Sequence, residues 1–126
     1  MLPATDNSRL PDVTVYPDGK INIAARIVHA LGISPGDVID VHSEPPELYI
    51  YIRHRKGQFV GRHTGVCKFP NGRRGTMRTY SKRIAAKILA AITPAPTDKT
   101  PLPCGNLEIR HGTPLIPIIT KTISPR

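Results

Sequence analysis

The chain of 126 residues has no tryptophan, two cysteines and only six aromatic residues, four Tyr and two Phe. With so few large rings, any core must be built from aliphatic side chains. Apolar residues make up 39% of the sequence, enough for one modest core. Cys67 and Cys104 do not make a disulfide framework. No apolar run approaches the roughly 20 residues that cross a bilayer as a helix, so no membrane association is expected. The opening MLPATDNSRL lacks a basic region followed by an apolar stretch; no signal peptide is expected, and a cytoplasmic protein is the default.

Acidic residues are missing from a long stretch. Residues 48–97 hold eleven Lys/Arg and no Asp or Glu, whereas residues 1–47 hold three Lys/Arg against seven Asp/Glu. Residues 98–126 add four bases and two acids. Such a concentration of positive charge attracts polyanions and raises their local concentration. It also removes the carboxylates that orient a catalytic His. There is no phosphate-binding glycine loop, nucleophile elbow or Ser-His-Asp pattern, so the chain does not read as an enzyme. His63-x3-Cys67 and Cys104-x6-His111 supply two His and two Cys, but neither pair has the Cys-x2–4-Cys spacing of strong zinc motifs. No metal or cofactor is expected.

What is present is a repetition. Val13-Thr-Val-Tyr-Pro-Asp-Gly-Lys20 and Val66-Cys-Lys-Phe-Pro-Asn-Gly-Arg73 share a valine, an aromatic, a Pro-Asp/Asn-Gly turn and a base. Pro presets φ and Gly tolerates positive φ, so each reads as a tight turn between short strands. Lys20-Ile-Asn-Ile23 alternates as a strand. Ala24, Ile27, Val28 and Leu31 then fall on one helical face ending at Gly32. Val38–Val41 and Leu48–Ile52 follow as strands. In the second half, Gly75–Tyr80 is a strand region, and Ser81 is a candidate N-cap for a helix whose apolar face is Ile84, Ala85, Ile88, Leu89 and Ile92. A Pro-rich loop over 93–103, a strand near 105–109 and a final strand over 115–119 complete the series. The order of elements is the same in both halves. The chain divides into a mobile tail at 1–10, a first unit at 11–56 and a second at 57–123, sharing one core.

The first unit, GKINIAARIVHALGISPGDVIDV, resembles the AbrB-like (SpoVT/AbrB, MazE-type) swapped-hairpin family. Gly19, Lys20, Ile21, Ile23, Leu31, Gly32, Ile33, Pro35, Gly36, Asp37, Val38 and Val41 match its pattern in register. Ala24 and Val28 depart from it, standing where the family usually has Pro and often has Arg. The resemblance implies a mainly β, α+β fold with two short helices: a swapped-hairpin barrel, here an intrachain pseudo-dimer. It also implies DNA binding and a role in transcription regulation.

On this reading the DNA-binding residues are Lys20, Arg26, Arg53, Arg55, Arg73, Arg74, Arg78, Lys82, Arg83 and Lys87, acting mainly on duplex phosphates. Arg73, Arg74 and Arg78 are the candidates for base contact. Lys82-Arg83 follow Ser81 at a helix start, where backbone N–H groups favour an anion. Two rival readings remain. One is an antitoxin-like module whose acidic first half or Pro-rich loop grips a basic protein partner, with self-association of the chain a separate partner expectation. The other is a binder of single-stranded nucleic acid or RNA, with Tyr49, Tyr51, Phe59, Phe69 and Tyr80 stacking on bases.

Overall fold

A computed structural model describes residues 11–58, 65–70 and 75–120. Its elements are β1 (Val13–Val15), β2 (Lys20–Ile23), α1 (Ala25–Leu31), β3 (Val38–Glu44), β4 (Glu47–His54), β5 (Met77–Tyr80), α2 (Lys82–Ala90), β6 (Thr100–Leu102), β7 (Glu108–Arg110) and β8 (Thr113–Ile118). The fold is mainly β with two short helices, as the alternating patterns predict. The tail at 1–10 lies outside the described residues.

The strands form two antiparallel four-stranded sheets, ordered β5-β2-β1-β6 and β3-β4-β8-β7. Each sheet draws two strands from each half of the chain: in the first, β5 and β6 of the second half flank the β2-β1 pair, and in the second, β4 pairs with β8 at the centre. Ile21 faces Thr79 and Asn22 faces Arg78 in one; Tyr49 faces Pro117 and Ile50 faces Ile116 in the other. Single bridges extend the pairing: Lys68 to Arg78, Val38 to Val66, and Cys104 to Ile118. Thus the segment around 66–68 flanks β5 much as β1 flanks β2.

The core follows from this interleaving. Neither half has enough apolar side chains to cover its own strands. Val13, Val15, Ile21, Ile23, Ile27, Ile39 and Ile50 of the first half join Met77, Ile84, Ile88, Ile116 and Ile118 of the second in one buried cluster. α1 ends at Gly32, whose φ of 70° is the left-handed C-cap that a β-carbon disfavours. α2 begins at Ser81, whose Oγ accepts the Ile84 N–H at 3.1 Å. Ile84, Ala85, Ile88 and Leu89 form its buried face, as the periodicity predicts, and Ile92 packs partly buried against the same core.

One segment departs from expectation. The Pro-rich stretch read as a loop over 93–103 contains β6, where Thr100–Leu102 pairs with β1. Proline lacks the N–H that a central strand needs, but β6 is the outer strand of its sheet. Pro101 can therefore sit opposite Thr14 without breaking a ladder on both sides.

Candidate nucleic-acid interface

The residues expected to meet a polyanion separate into two groups. In the first, the positive charge is neutralised within the chain. Arg26 makes a two-pronged contact with Asp12, Nε donating to Oδ1 at 3.1 Å and Nη2 to Oδ2 at 2.8 Å. Nη2 also donates to the Cys104 carbonyl. The Asp12 hydrogen bond raises the Arg26 pKa above its ordinary value. Arg55 donates to Asp37 at 2.9 Å and to the Gly32 carbonyl at 2.6 Å. Arg53 and Arg83 both donate to Asp40 Oδ2, each at 3.2 Å. Asp12, Asp37 and Asp40 are themselves buried. Acids of residues 1–47 therefore hold Arg53, Arg55 and Arg83 of the acid-free stretch, and part of the charge asymmetry of the sequence closes into ion pairs.

Arg83 illustrates why position along a helix does not predict its partner. It stands in the first turn of α2, where an anion is favoured, yet its side chain reaches across to β3 and pairs with Asp40. Lys82, beside it, has no ion pair among the described residues.

The second group keeps its charge. Lys20, Lys56, Lys68, Lys82, Lys87, Lys99 and Arg78 have no carboxylate partner among the described residues. Three of them lie on one surface. Within β2 the side chains alternate: Ile21 and Ile23 are buried, and Lys20 and Asn22 face outward. In β5, Met77 and Thr79 are buried while Arg78 and Tyr80 face outward. Register brings Lys20 opposite Tyr80, Asn22 opposite Arg78, and Arg78 opposite Lys68. On the other flank Thr14 lies opposite Asn22. Lys20 Nζ sits 4.0 Å from the centroid of the Tyr16 ring. The outer face of the first sheet is thus a row of Thr14, Asn22, Arg78 and Lys68 beside a row of Tyr16, Lys20 and Tyr80, with no carboxylate in either row.

Lys82 stands at the rim of this face. The Ser81 N–H donates to the Gly19 carbonyl at 2.9 Å, which fixes the start of α2 against the 17–20 turn. Asp18 in that turn accepts the Lys20 backbone N–H and is the nearest acid along the chain. Lys87 is exposed in the last turn of α2, at the opposite end of the helix from Lys82, where it complements the helix dipole. Arg73 and Arg74 lie outside the described residues, as do Phe59 and His63.

Sequence reading missed Asn22, Lys68 and Tyr16 as members of the face. Alternation in Lys20–Ile23 was enough to place Asn22 beside Lys20, but pairing across the two halves fixes the rest, and strand register is not written in either strand alone. Of the aromatic residues named as stacking candidates, Tyr80 is half exposed, whereas Tyr49 is buried on the second sheet. Among the described residues no three His, Cys, Asp or Glu side chains cluster as a metal site. No helix among them is long and apolar enough to cross a membrane.

Comparisons with protein-family models, with curated proteins and with solved structures give no match.

Proposed function

We propose that this protein binds duplex DNA, mainly through phosphates, with the outer face of the first sheet, and that it acts as a regulator of transcription. The observation that carries the reading is the sorting of charge. Five of the described arginines are held by carboxylates, whereas Lys20, Lys68 and Arg78 collect unpaired on one acid-free face with Lys82 at its edge. A surface that only needed solubility would mix its charges.

The architecture supports the same reading. Each of the two sheets joins strands from both halves, the kind of exchange a swapped-hairpin barrel would use when both copies of the unit lie in one chain. The resemblance of residues 13–52 to the AbrB-like pattern adds DNA as the polyanion. The face has one cation on β2, Lys20, and another beside β5, Lys68, so it can follow a backbone rather than grip one point.

The test is fluorescence anisotropy of the full chain on a labelled random duplex at several salt concentrations, with the matching single strand alongside. Four phosphate contacts give a slope of log affinity against log salt of about −3 to −4 on duplex. Lys68→Ala with Lys82→Ala reduces that slope by about half. Absence of duplex binding at low salt overturns the reading. Tighter binding to the single strand transfers the face to base stacking on Tyr80 and Tyr16.

A further inference from the structure

Among the described residues Arg78 is the one arginine without a carboxylate partner. Arg26, Arg53, Arg55, Arg83 and Arg110 each have one. Arg78 is instead held by a neutral group: its Nε donates to Asn22 Oδ1 at 2.8 Å. The difference is chemical. A carboxylate cancels the charge of a guanidinium and occupies its donors. An amide oxygen takes one N–H and leaves the cation uncompensated. With Nε engaged, the edge formed by Nη1 and Nη2 has no acceptor within the described chain.

The backbone beneath this group is fixed on both sides. The Arg78 N–H donates to the Lys68 carbonyl at 2.8 Å, and the Lys68 N–H donates to the Arg78 carbonyl at 3.0 Å. On the other side Arg78 is in register with Asn22, where the two halves of the chain meet. Arg78 therefore stands near the middle of the basic face, on a rigid strand, with its side chain braced from the neighbouring strand. Lys68 lies opposite it and Lys20 diagonally across, and among the described residues neither lysine side chain has a hydrogen bond like that of Arg78, Lys20 resting instead over the Tyr16 ring.

We infer that Arg78 is a base-reading residue for guanine and that Asn22 is its positioning residue. Guanine presents O6 and N7 as two adjacent acceptors in the major groove, and two parallel N–H groups of an arginine match them. A lysine on a flexible stem supplies a point charge suited to phosphate. This inference rests on the duplex reading and assigns its specificity to one side chain.

The experiment starts with selection of a preferred duplex from a random pool by the full-length chain. Each guanine of that duplex is then replaced in turn by 7-deazaguanine, which keeps base pairing and removes the N7 acceptor. At one guanine the wild-type chain is expected to lose about 5- to 150-fold in affinity, the range of a single bidentate base contact. Arg78→Lys is expected to lose that discrimination and to keep the salt slope. Lys68→Ala is expected to keep the discrimination and lower the slope. Asn22→Ala is expected to weaken discrimination with the melting temperature and the salt slope unchanged, whereas Asn22→Asp, which supplies a carboxylate that cancels the Arg78 charge, is expected to lose discrimination and lower the slope as well. Uniform weakening of Arg78→Lys on every duplex, or selection that yields no preference, overturns the inference while phosphate binding stands. Failure of the wild-type chain to bind any duplex at low salt removes the duplex reading itself.

Discussion

Arg110 Nη1 donates to Glu44 Oε1 at 2.6 Å, although the two residues belong to β7 and β3, the opposite outer strands of the second sheet. Both side chains reach over the sheet face that carries Tyr49. Tyr49, on β4, is 1% exposed, and the Arg110 guanidinium lies 5.0 Å from its ring centroid. Tyr49 is thus covered by the Arg110 guanidinium rather than open for stacking.

That seam has a pH dependence. The hydrogen bond from His42, with the charge of Arg110, holds the Glu44 carboxyl below its ordinary value of 4.5. A carboxyl with a depressed folded-state pKa stabilises the fold above its unfolded pKa, and the contribution disappears as pH falls through the folded value. Melting temperature is expected to drop as pH is lowered below about 4.5, and Glu44→Gln is expected to flatten part of that drop. Superimposable pH profiles for the two proteins would contradict the role of the seam.

Asp37 ties the turn at 34–37 to the segment that follows β4. Its carboxylate accepts the Ser34 N–H at 2.8 Å, the Lys56 N–H at 2.8 Å and the Arg55 guanidinium at 2.9 Å. The aspartate is buried and Arg55 is half exposed, so the backbone donors carry more of the effect than the ion pair. Hydrogen bonds to a charged group contribute about 1.5–3 kcal/mol each when one is removed, and three in one cluster are not additive. Asp37→Ala is expected to destabilise by about 3 kcal/mol in urea melts. Arg55→Ala, which leaves the backbone bonds intact, is expected to cost well under half as much. Equal losses would show that the ion pair dominates.

The local elements were legible because each is specified by its own neighbours. Alternation in Lys20–Ile23, the Leu31-Gly32 stop and the Ser81 cap are properties of a few consecutive residues, and all three appear in the fold. β6 was not legible, since two prolines in Thr100-Pro-Leu-Pro103 signal a loop and only pairing with β1 makes it a strand. The charge distribution was visible but its cancellation was not. Asp40 sits in an apolar strand, Val38-Ile-Asp-Val41, and nothing in that string announces that Arg53 and Arg83 converge on it. Which arginines stay unpaired depends on contacts between residues 13 and 43 positions apart.

Gly65 is a position where no other residue fits. Its φ is +90°, and a β-carbon there would lie 2.8 Å from the Ile39 carbonyl oxygen and 3.1 Å from Ile84 Cδ1. The same carbonyl group of Gly65 accepts the Ile39 N–H at 3.0 Å, so the approach cannot relax without losing the bridge between the two sheets. Gly65→Ala combines the backbone penalty of positive φ with this contact, and is expected to destabilise by more than about 1 kcal/mol. Gly57→Ala is the control, since its φ is +84° but a β-carbon there meets nothing within 4 Å. The two variants should separate clearly in chemical denaturation; equal midpoints would mean that the chain shifts freely at Gly65.

Cys67 reports on the same junction. It is 1% exposed, its Sγ donates weakly to the Gly65 carbonyl at 3.8 Å, and burial pushes its thiol pKa up to about 12. The thiolate is the reactive species, so a buried thiol with so high a pKa is inert until the structure opens. With Cys104→Ser removing the other cysteine, a disulfide reagent at mildly alkaline pH is expected to label the native protein slowly and the urea-unfolded protein at once. Gly65→Ala in that background raises the population of the open form and should speed labelling in proportion to its loss of stability, because opening and reclosing precede the reaction. Immediate labelling of the native chain would show that the strand around Cys67 is not packed as described. A rate indifferent to Gly65→Ala would show that the thiol is reached by a local motion that leaves the Gly65–Ile39 bridge closed.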